Sequence, residues 1–576
     1  MKPSPYTDRY SPQEIEDYYA AGFWSTDTFH DLLVRRVQEI PDKVFATDGT
    51  RSLTFRKLFD GAQRLAVGLH RQGLRAGDTA AVQLPNWVEF VQVLAALSRL
   101  GVITAPIMPI YRREDVSYVL SNAGARAVFT PANFGKFDYL DMYRGLREEH
   151  PDLTIVVARP DSAAEGIIGA ESGAFSLQGL EADTDDDSAR QELDAPPGPD
   201  EPFVMVYTSG TTSRPKGCVH TFNTYCSGSR ELIAPYGYTD ADVQFGPSPI
   251  AHTTGLVTSV MMPLLAGAST HLMAKWDPAR GIEEIQRLGC TAAVTAPTFL
   301  HTLLSAYDPQ RHDLSTLRLW VCGGAPIPAA VVERASATLP NIKVLSLYGR
   351  SENLVTTTCS MHDDVTRSLT SDGKAPPGAE VKIVDDNGNE APRGTEGDIA
   401  YRGPSHMIEY LGNPEETAAL FTPDGFSRSG DLGTMTDDGY VRITGRTKDI
   451  VIRGGMNISV REIEEMLAHH PALQAFSVVG MPDERLGEKV CCFVVTASGH
   501  ETPTVEDIRE FLLTRGLPIQ KTPERVVTVG ALPMTATGKV LKHELRKDIE
   551  RRLEAEAGRA HEAASPRRSG GWSAPT

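Results

Sequence analysis

The densest phosphate-binding chemistry in the chain lies in Tyr207-Thr208-Ser209-Gly210-Thr211-Thr212-Ser213-Arg214-Pro215-Lys216-Gly217. Five Ser/Thr hydroxyls, two glycines and two cations fall within eleven residues. Glycine lets backbone N–H groups approach an anion closely, and hydroxyls and a lysine add donors and charge. The spacing differs from GxxxxGK[ST], so the common mononucleotide loop is not matched. Composition alone fits a plain Ser/Thr/Gly loop equally well. Its position immediately after the apolar run 203–207 favours a ligand loop at a strand end.

Further stretches have the same layout. Cys322-Gly323-Gly324-Ala325-Pro326 follows the apolar run 317–321, and Tyr348-Gly349-Arg350-Ser351-Glu352 follows 344–347. Ser429-Gly430-Asp431-Leu432-Gly433 offers a carboxylate that can accept from two vicinal hydroxyls, fifteen residues before Arg446. Pro533-Met534-Thr535-Ala536-Thr537-Gly538-Lys539 ends on a lysine behind a glycine turn. Each is weak alone, since Gly-Asp is an ordinary turn and a loop lysine is common.

Together these motifs resemble the adenylate-forming superfamily of acyl-CoA synthetases, nonribosomal peptide adenylation domains and luciferases. The resemblance spans about residues 30–548, in the family's order, with Ser213 standing where the family's loop has glycine. It implies an AMP-forming ligase that uses ATP and Mg²⁺ to activate an acid, with CoA as co-substrate. It makes Lys539, Glu352, Thr212 and Lys448 the catalytic set, with Glu352 holding the metal and Lys448 as hinge. Nucleotide contacts fall to Thr208, Ser209, Gly210, Thr211, Thr212, Lys216, Gly324, Ala325, Pro326, Leu347, Tyr348, Gly349, Asp431, Arg446 and Lys539. The acid pocket would be built from Tyr225, His252, Thr253, Cys322, Gly323 and Val355. No acidic residue stands ready for an α-ammonium group, which disfavours an amino acid. The texture resembles ligases for medium-chain, alicyclic, aromatic or carnitine-like acids. Alternatives are a carrier-protein thiol or an amine as acceptor, nitrite activation for diazotisation of an aryl amine, or a silent nucleotide-binding regulator; the retained Lys539 and Glu352 argue against the last.

The elements that must hold these residues read as α/β. Apolar runs at 79–83, 102–105, 127–130 and 154–157 alternate with helical text, which predicts parallel sheet. From about residue 374 short strands and Asp/Asn-Gly turns predict a small β subdomain, followed by a compact α+β segment to 548. Ser459-Val460-Arg461-Glu462 reads as a capping box opening a helix over 460–468. The resemblance sharpens this to a large N-terminal domain, 1–446, of two α/β sheets plus a small β-barrel, and a mobile α+β domain, 447–548. Residues 549–576 read as a disordered tail, and the acidic stretch 160–201 as a surface excursion.

A chain of 576 residues with net charge -18 suits a multidomain globular protein and disfavours a nucleic-acid binder. No secretory signal or membrane-length apolar run is visible, and the seven cysteines form no CxxC pair. A cytoplasmic protein, with a homodimer as one assembly, is the expectation.

Overall fold

The computed structural model describes residues 9–169, 172–182, 193–208, 215–325, 327–339, 341–446, 449–535 and 538–564. These fall into two compact units. The larger lies within 1–443 and takes in 536–539; the smaller comprises 444–535 and the chain from 540 onward.

Two eight-stranded sheets build the larger unit. The first runs Glu409–Tyr410, Gly217–Thr221, Pro202–Tyr207, Ile103–Pro106, Thr79–Val82, Ala125–Pro131, Thr154–Ala158, Ala174–Ser176. Its interior ladders are parallel, and the two at the Gly217–Thr221 end are antiparallel. The second runs Thr357–Thr358, Lys343–Tyr348, Leu319–Gly323, Ala292–Thr295, Val243–Gly246, Ser269–Leu272, Val44–Thr47, Ser52–Thr54. Its interior is likewise parallel. Strands such as Thr79–Val82 and Ala292–Thr295 are buried at every position, as a sheet covered on both faces requires. The parallel strands expected from apolar runs therefore form as read.

Glu380–Val384, Gly397–Arg402, Ser427–Met435 and Val441–Arg446 make the small β subdomain. Among the described residues its ladder does not close on itself, so it is an open four-stranded sheet where a small barrel was expected. The stretch 160–201 also departs from expectation. Ala174–Ser176 is an edge strand, and Ala174, Leu177 and Leu180 are buried in the cores. Apolar residues spaced for burial outweigh the acidic composition around them.

The smaller unit is a five-stranded sheet in which Met456–Ser459, Ile450–Arg453, Gly487–Thr496 and Leu473–Asp483 pair in that order, with Arg525–Thr528 parallel to Gly487–Thr496. The helix Val460–Leu467 starts where the capping box predicts, but no side-chain cap forms. The Ser459 hydroxyl donates to the Thr444 carbonyl instead. Residues 549–564 are not a frayed tail. They continue the helix Lys542–Ala564, because Leu545, Ile549 and Leu553, four residues apart, pack one face against Val479, Phe493 and Val527. No described helix is long and apolar enough to cross a membrane.

Candidate active site

The strand Lys343–Tyr348 delivers the chain into the turn at 349–356. A Cβ on Gly349 would lie 1.9 Å from the Leu354 carbonyl oxygen, so only glycine fits. Leu354 itself adopts φ 54, a left-handed conformation that costs a branched residue roughly 1–2 kcal/mol. The turn survives because its polar groups are saturated. Asn353 Oδ1 accepts from Arg350 Nε at 2.8 Å, and Asn353 Nδ2 donates to Thr356 Oγ1 at 2.9 Å. Arg350 also reaches the Arg428 carbonyl at 2.9 Å and Ser427 Oγ at 2.7 Å, fastening the turn to Ser427–Met435.

That strand carries Asp431, which is buried, and the Tyr348 hydroxyl donates to Asp431 Oδ2 at 2.5 Å. The Tyr348 ring packs against Ile383, Ile399, Met435 and Val441, the core of the small sheet. Leu347 is buried just before it, in the main core. On the other side of the turn, the Tyr410 hydroxyl donates to Glu352 Oε1 at 2.6 Å. His220 Nε2 donates to the Ser351 carbonyl at 2.8 Å. Burial pushes the His220 imidazole down to about 4, only partly offset by its bond to Ser351 and the Glu352 charge. It is therefore neutral near pH 7.

The phosphate loop is visible at its two ends. The Thr208 amide donates to the Lys216 carbonyl at 2.9 Å, and the Lys216 amide donates to Thr208 Oγ1 at 3.1 Å. The Lys216 ammonium pairs with Glu416 and lies 4.8 Å from the Tyr410 ring centroid. Ser209, Gly210, Thr211, Thr212, Pro326 and Lys448, the expected hinge, lie outside the described residues. Arg446 belongs to the smaller unit.

A small cavity of about 10 Å³ is lined by Ser248, Pro249, His252, Thr254, Gly255, Ala296, Gly323, Gly324 and Lys539. Glycines make the approach of Lys539 possible. Gly324 has φ 79, and a Cβ there would stand 3.0 Å from Lys539 Cε. Gly538 has φ 80, and a Cβ there would stand 2.6 Å from Thr298 Oγ1. His252 caps the turn Thr253–Leu256, its Nδ1 accepting from the Thr254 amide at 3.3 Å. The neutral ring thus carries its proton on Nε2. Burial, then the nearby Lys539 charge, pushes it down to about 3.

Of the six residues expected in the acid pocket, His252 and Gly323 line this cavity. Tyr225, Thr253, Cys322 and Val355 are buried and are not part of its lining. Strand alternation explains Cys322, which points with Trp320 into the neighbouring core while Gly323 lies on the opposite face. Tyr225 and Val355 belong to the main core. Ala325 follows Gly324 but is not part of the lining.

Sequence reasoning missed three side chains that hold the site: His220, Tyr410 and Asn86. Asn86 Nδ2 donates to the Gly246 and Ser248 carbonyls at 3.2 and 2.8 Å, and its Oδ1 accepts from the Ile250 amide at 2.9 Å. It thereby fixes the Ser248–Pro249 wall. A buried asparagine in Leu84-Pro85-Asn86-Trp87 was the available signal, because buried amides need partners.

The family model described as AMP-binding enzyme matches residues 33–411, and that of the AMP-binding enzyme C-terminal domain matches 462–539. The medium-chain fatty-acid–CoA ligase of Escherichia coli (strain K12) is 34% identical over 545 residues, covering 94% of each chain. The 2,3-dihydroxybenzoate-AMP ligase of Bacillus subtilis (strain 168) is 30% identical, covering 94% of this chain and 97% of its own. Among solved structures, the anthranilate CoA ligase AuaEII in complex with anthranoyl-AMP superposes with a TM-score of 0.83 at 25% identity, covering 93% of this chain and 100% of its own. The amide bond synthetase McbA from Marinactinospora thermotolerans gives 0.77 at 27% identity, covering 90% and 99%. With the strand-end turns, the buried Asp431 and the lysine-lined cavity in one unit, the chain belongs to the AMP-binding enzymes of the adenylate-forming superfamily and is an AMP-forming ligase that activates an acid as its acyl-adenylate.

Proposed function

We propose that this ligase transfers its acyl group to CoA, and that its acid is an apolar or aromatic carboxylate without an α-ammonium group. The observation that carries this reading is the 34% identity over 545 residues to a medium-chain fatty-acid–CoA ligase; beside it, the wall of the small cavity holds one cation, Lys539, and no carboxylate. A carboxylate is attracted there, and a zwitterionic amino acid would leave its ammonium without an anionic partner. His252, kept neutral, can donate from Nε2 to a carboxylate oxygen without adding charge.

The chemistry follows from the reactivity of carboxylates, which are poor electrophiles. The acid's oxygen attacks the α-phosphorus of ATP, the bond to the β-phosphate oxygen breaks, and pyrophosphate leaves. Negative charge grows on the phosphoryl oxygens, where preorganised positive charge stabilises the transition state. Lys539 is the group for this role, Asp431 receives the ribose hydroxyls, and Tyr348 borders the adenine. A thiolate then attacks the acyl carbonyl carbon and AMP departs.

Glu352 suits Mg²⁺. Tyr410 occupies Oε1, leaving Oε2 for a cation. No cluster of three His, Cys, Asp or Glu exists among the described residues. A single carboxylate fits this ion, which keeps its waters and takes its other oxygens from phosphates. When bound, it supplies charge neutralisation along the triphosphate.

In the smaller unit, Gly454 and Gly455, both at positive φ, form the tip of the hairpin Ile450–Arg453/Met456–Ser459. They present backbone without side chains, as a narrow pantetheine arm would require. The likeness to an amide bond synthetase favours a second reading with an amine acceptor.

A pyrophosphate-release screen over medium-chain, aryl and amino acids, and nitrite with an aryl amine, run with and without CoA, tests the proposal. Thioester formation with apolar or aryl acids is expected. Amide formation without thioester would replace CoA by an amine, and a preference for amino acids would overturn the substrate class.

A further inference from the structure

Tyr410 sits where two parts of the nucleotide site meet. The strand Glu409–Tyr410 adds antiparallel to Gly217–Thr221, the strand that leaves the phosphate loop, with Cys218 opposite Tyr410. The Ile408 amide donates to the Val219 carbonyl and the Leu411 amide to the Gly217 carbonyl, both at 2.8 Å. The same segment grips the Glu352 turn. The Met407 amide donates to the Glu352 carbonyl at 2.6 Å, and Ser405 Oγ donates to the Asn353 carbonyl at 3.0 Å. The Tyr410 amide is held in turn by Thr417 Oγ1 at 3.0 Å.

The tyrosine side chain repeats this bridging. Its hydroxyl meets Glu352 Oε1, and its ring carries the Lys216 ammonium on one face. Lys216 is paired with Glu416, six residues further along the same segment.

We propose that Tyr410 is a positioning residue for Mg²⁺-bound ATP: its hydroxyl fixes the rotation of the Glu352 carboxylate, and its segment holds that carboxylate in register with Lys216 at the exit of the phosphate loop. A glutamate carboxylate on three rotatable bonds would otherwise lose side-chain entropy on meeting the cation. The proposal rests on reading Glu352 as the cation ligand. Glu416 serves as the internal partner of Lys216, which a phosphate exchanges for its own oxygen when nucleotide enters.

Calorimetric titration of ATP into the full chain, with and without Mg²⁺, tests this on Tyr410→Phe, Glu352→Gln and the double variant. Phenylalanine keeps the ring over which Lys216 lies and removes only the donor. A hydrogen bond to a charged group is worth ~1.5 kcal/mol or more, so Tyr410→Phe is expected to lose about tenfold in ATP affinity with Mg²⁺. It is expected to lose nothing without Mg²⁺, and nothing further in the Glu352→Gln background. Unchanged affinity with Mg²⁺, an equal loss without it, or losses that add in the double variant would each overturn the proposal. If Glu352→Gln retains the full Mg²⁺ dependence, the reading of Glu352 fails first. If Glu352→Gln is deficient but Tyr410→Phe is not, only the role of Tyr410 fails. Should Tyr410→Phe not fold, 4-aminophenylalanine at position 410 restores a donor; affinity below the parent's despite that donor also counts against the proposal.

Discussion

The groups proposed to meet the nucleotide and the cavity proposed to receive the acid are built differently. On the nucleotide side, side chains bind side chains: Tyr348 to Asp431, Tyr410 to Glu352, Arg350 to Asn353 and Ser427. On the proposed acid side, the wall of the small cavity includes Gly255, Ala296, Gly323 and Gly324, with His252 and Lys539 as its titratable groups. The difference matches what each side must read. Phosphates and ribose are the same in every turnover, and groups held in fixed positions serve them best. An acid is recognised by volume, and a wall of small residues can be reshaped by adding single carbons.

The comparison breaks first at Lys539, which the acid side lends to phosphate chemistry. Lys539→Ala is expected to lower adenylation by about 10³-fold, since preorganised charge at the developing oxyanion is removed. ATP binding by calorimetry should stay intact, because the nucleotide side retains its own contacts. Adenylation near the parent rate would remove Lys539 from the chemistry.

A second prediction concerns stability. Unfolded histidine gains its proton below about 6.5, whereas native His220 gains it only near 4. Between these values the unfolded chain binds more protons, so stability falls as pH falls from 6.5 towards 4. At pH 5 the cost from this residue is ~2 kcal/mol. His220→Gln should therefore show a smaller drop in unfolding free energy between pH 7.5 and pH 5, measured by denaturant titration. His30 and His252 titrate in the same direction and remain in both proteins. An equal drop in parent and variant would show that His220 is not the buried neutral group described.

The smallest effect sharpens the acid side. A Cβ on Gly323 would stand 3.1 Å from the Leu347 carbonyl oxygen and 3.5 Å from Leu347 Cβ, a tight but attainable fit. Gly323→Ala should cost bulky acids about tenfold in kcat/KM, small acids less, and leave the KM for ATP alone. A uniform loss over all acids, or a raised KM for ATP, would mean that the two sides are not separable.

Much of this layout was legible in the chain. The parallel strands and the glycine-bearing turns at their ends are local features, recorded in runs of five to ten residues. What escaped was set by distance. Tyr410 and Glu352 are 58 residues apart, His220 and Ser351 are 131, and Asn86 and Ser248 are 162. No periodicity links such pairs, and each looks like an ordinary polar residue until the fold joins them. The helix at 549–564 was missed because charged text hid the four-residue spacing of Leu545, Ile549 and Leu553. Of the residues expected in the acid pocket, Cys322 turns into a core with Trp320, because a strand shows alternate residues to opposite faces.

The paired bonds between Thr208 and Lys216 have one more consequence. They moor the two strands at the water line of the phosphate loop, directly beyond the Tyr207–Gly217 rung of the sheet. The register of the two strands is therefore held by bonds outside positions 209–214. The serine at position 213 therefore poses no threat to the scaffold. The frame that flanks positions 209–214 is anchored by its own bonds.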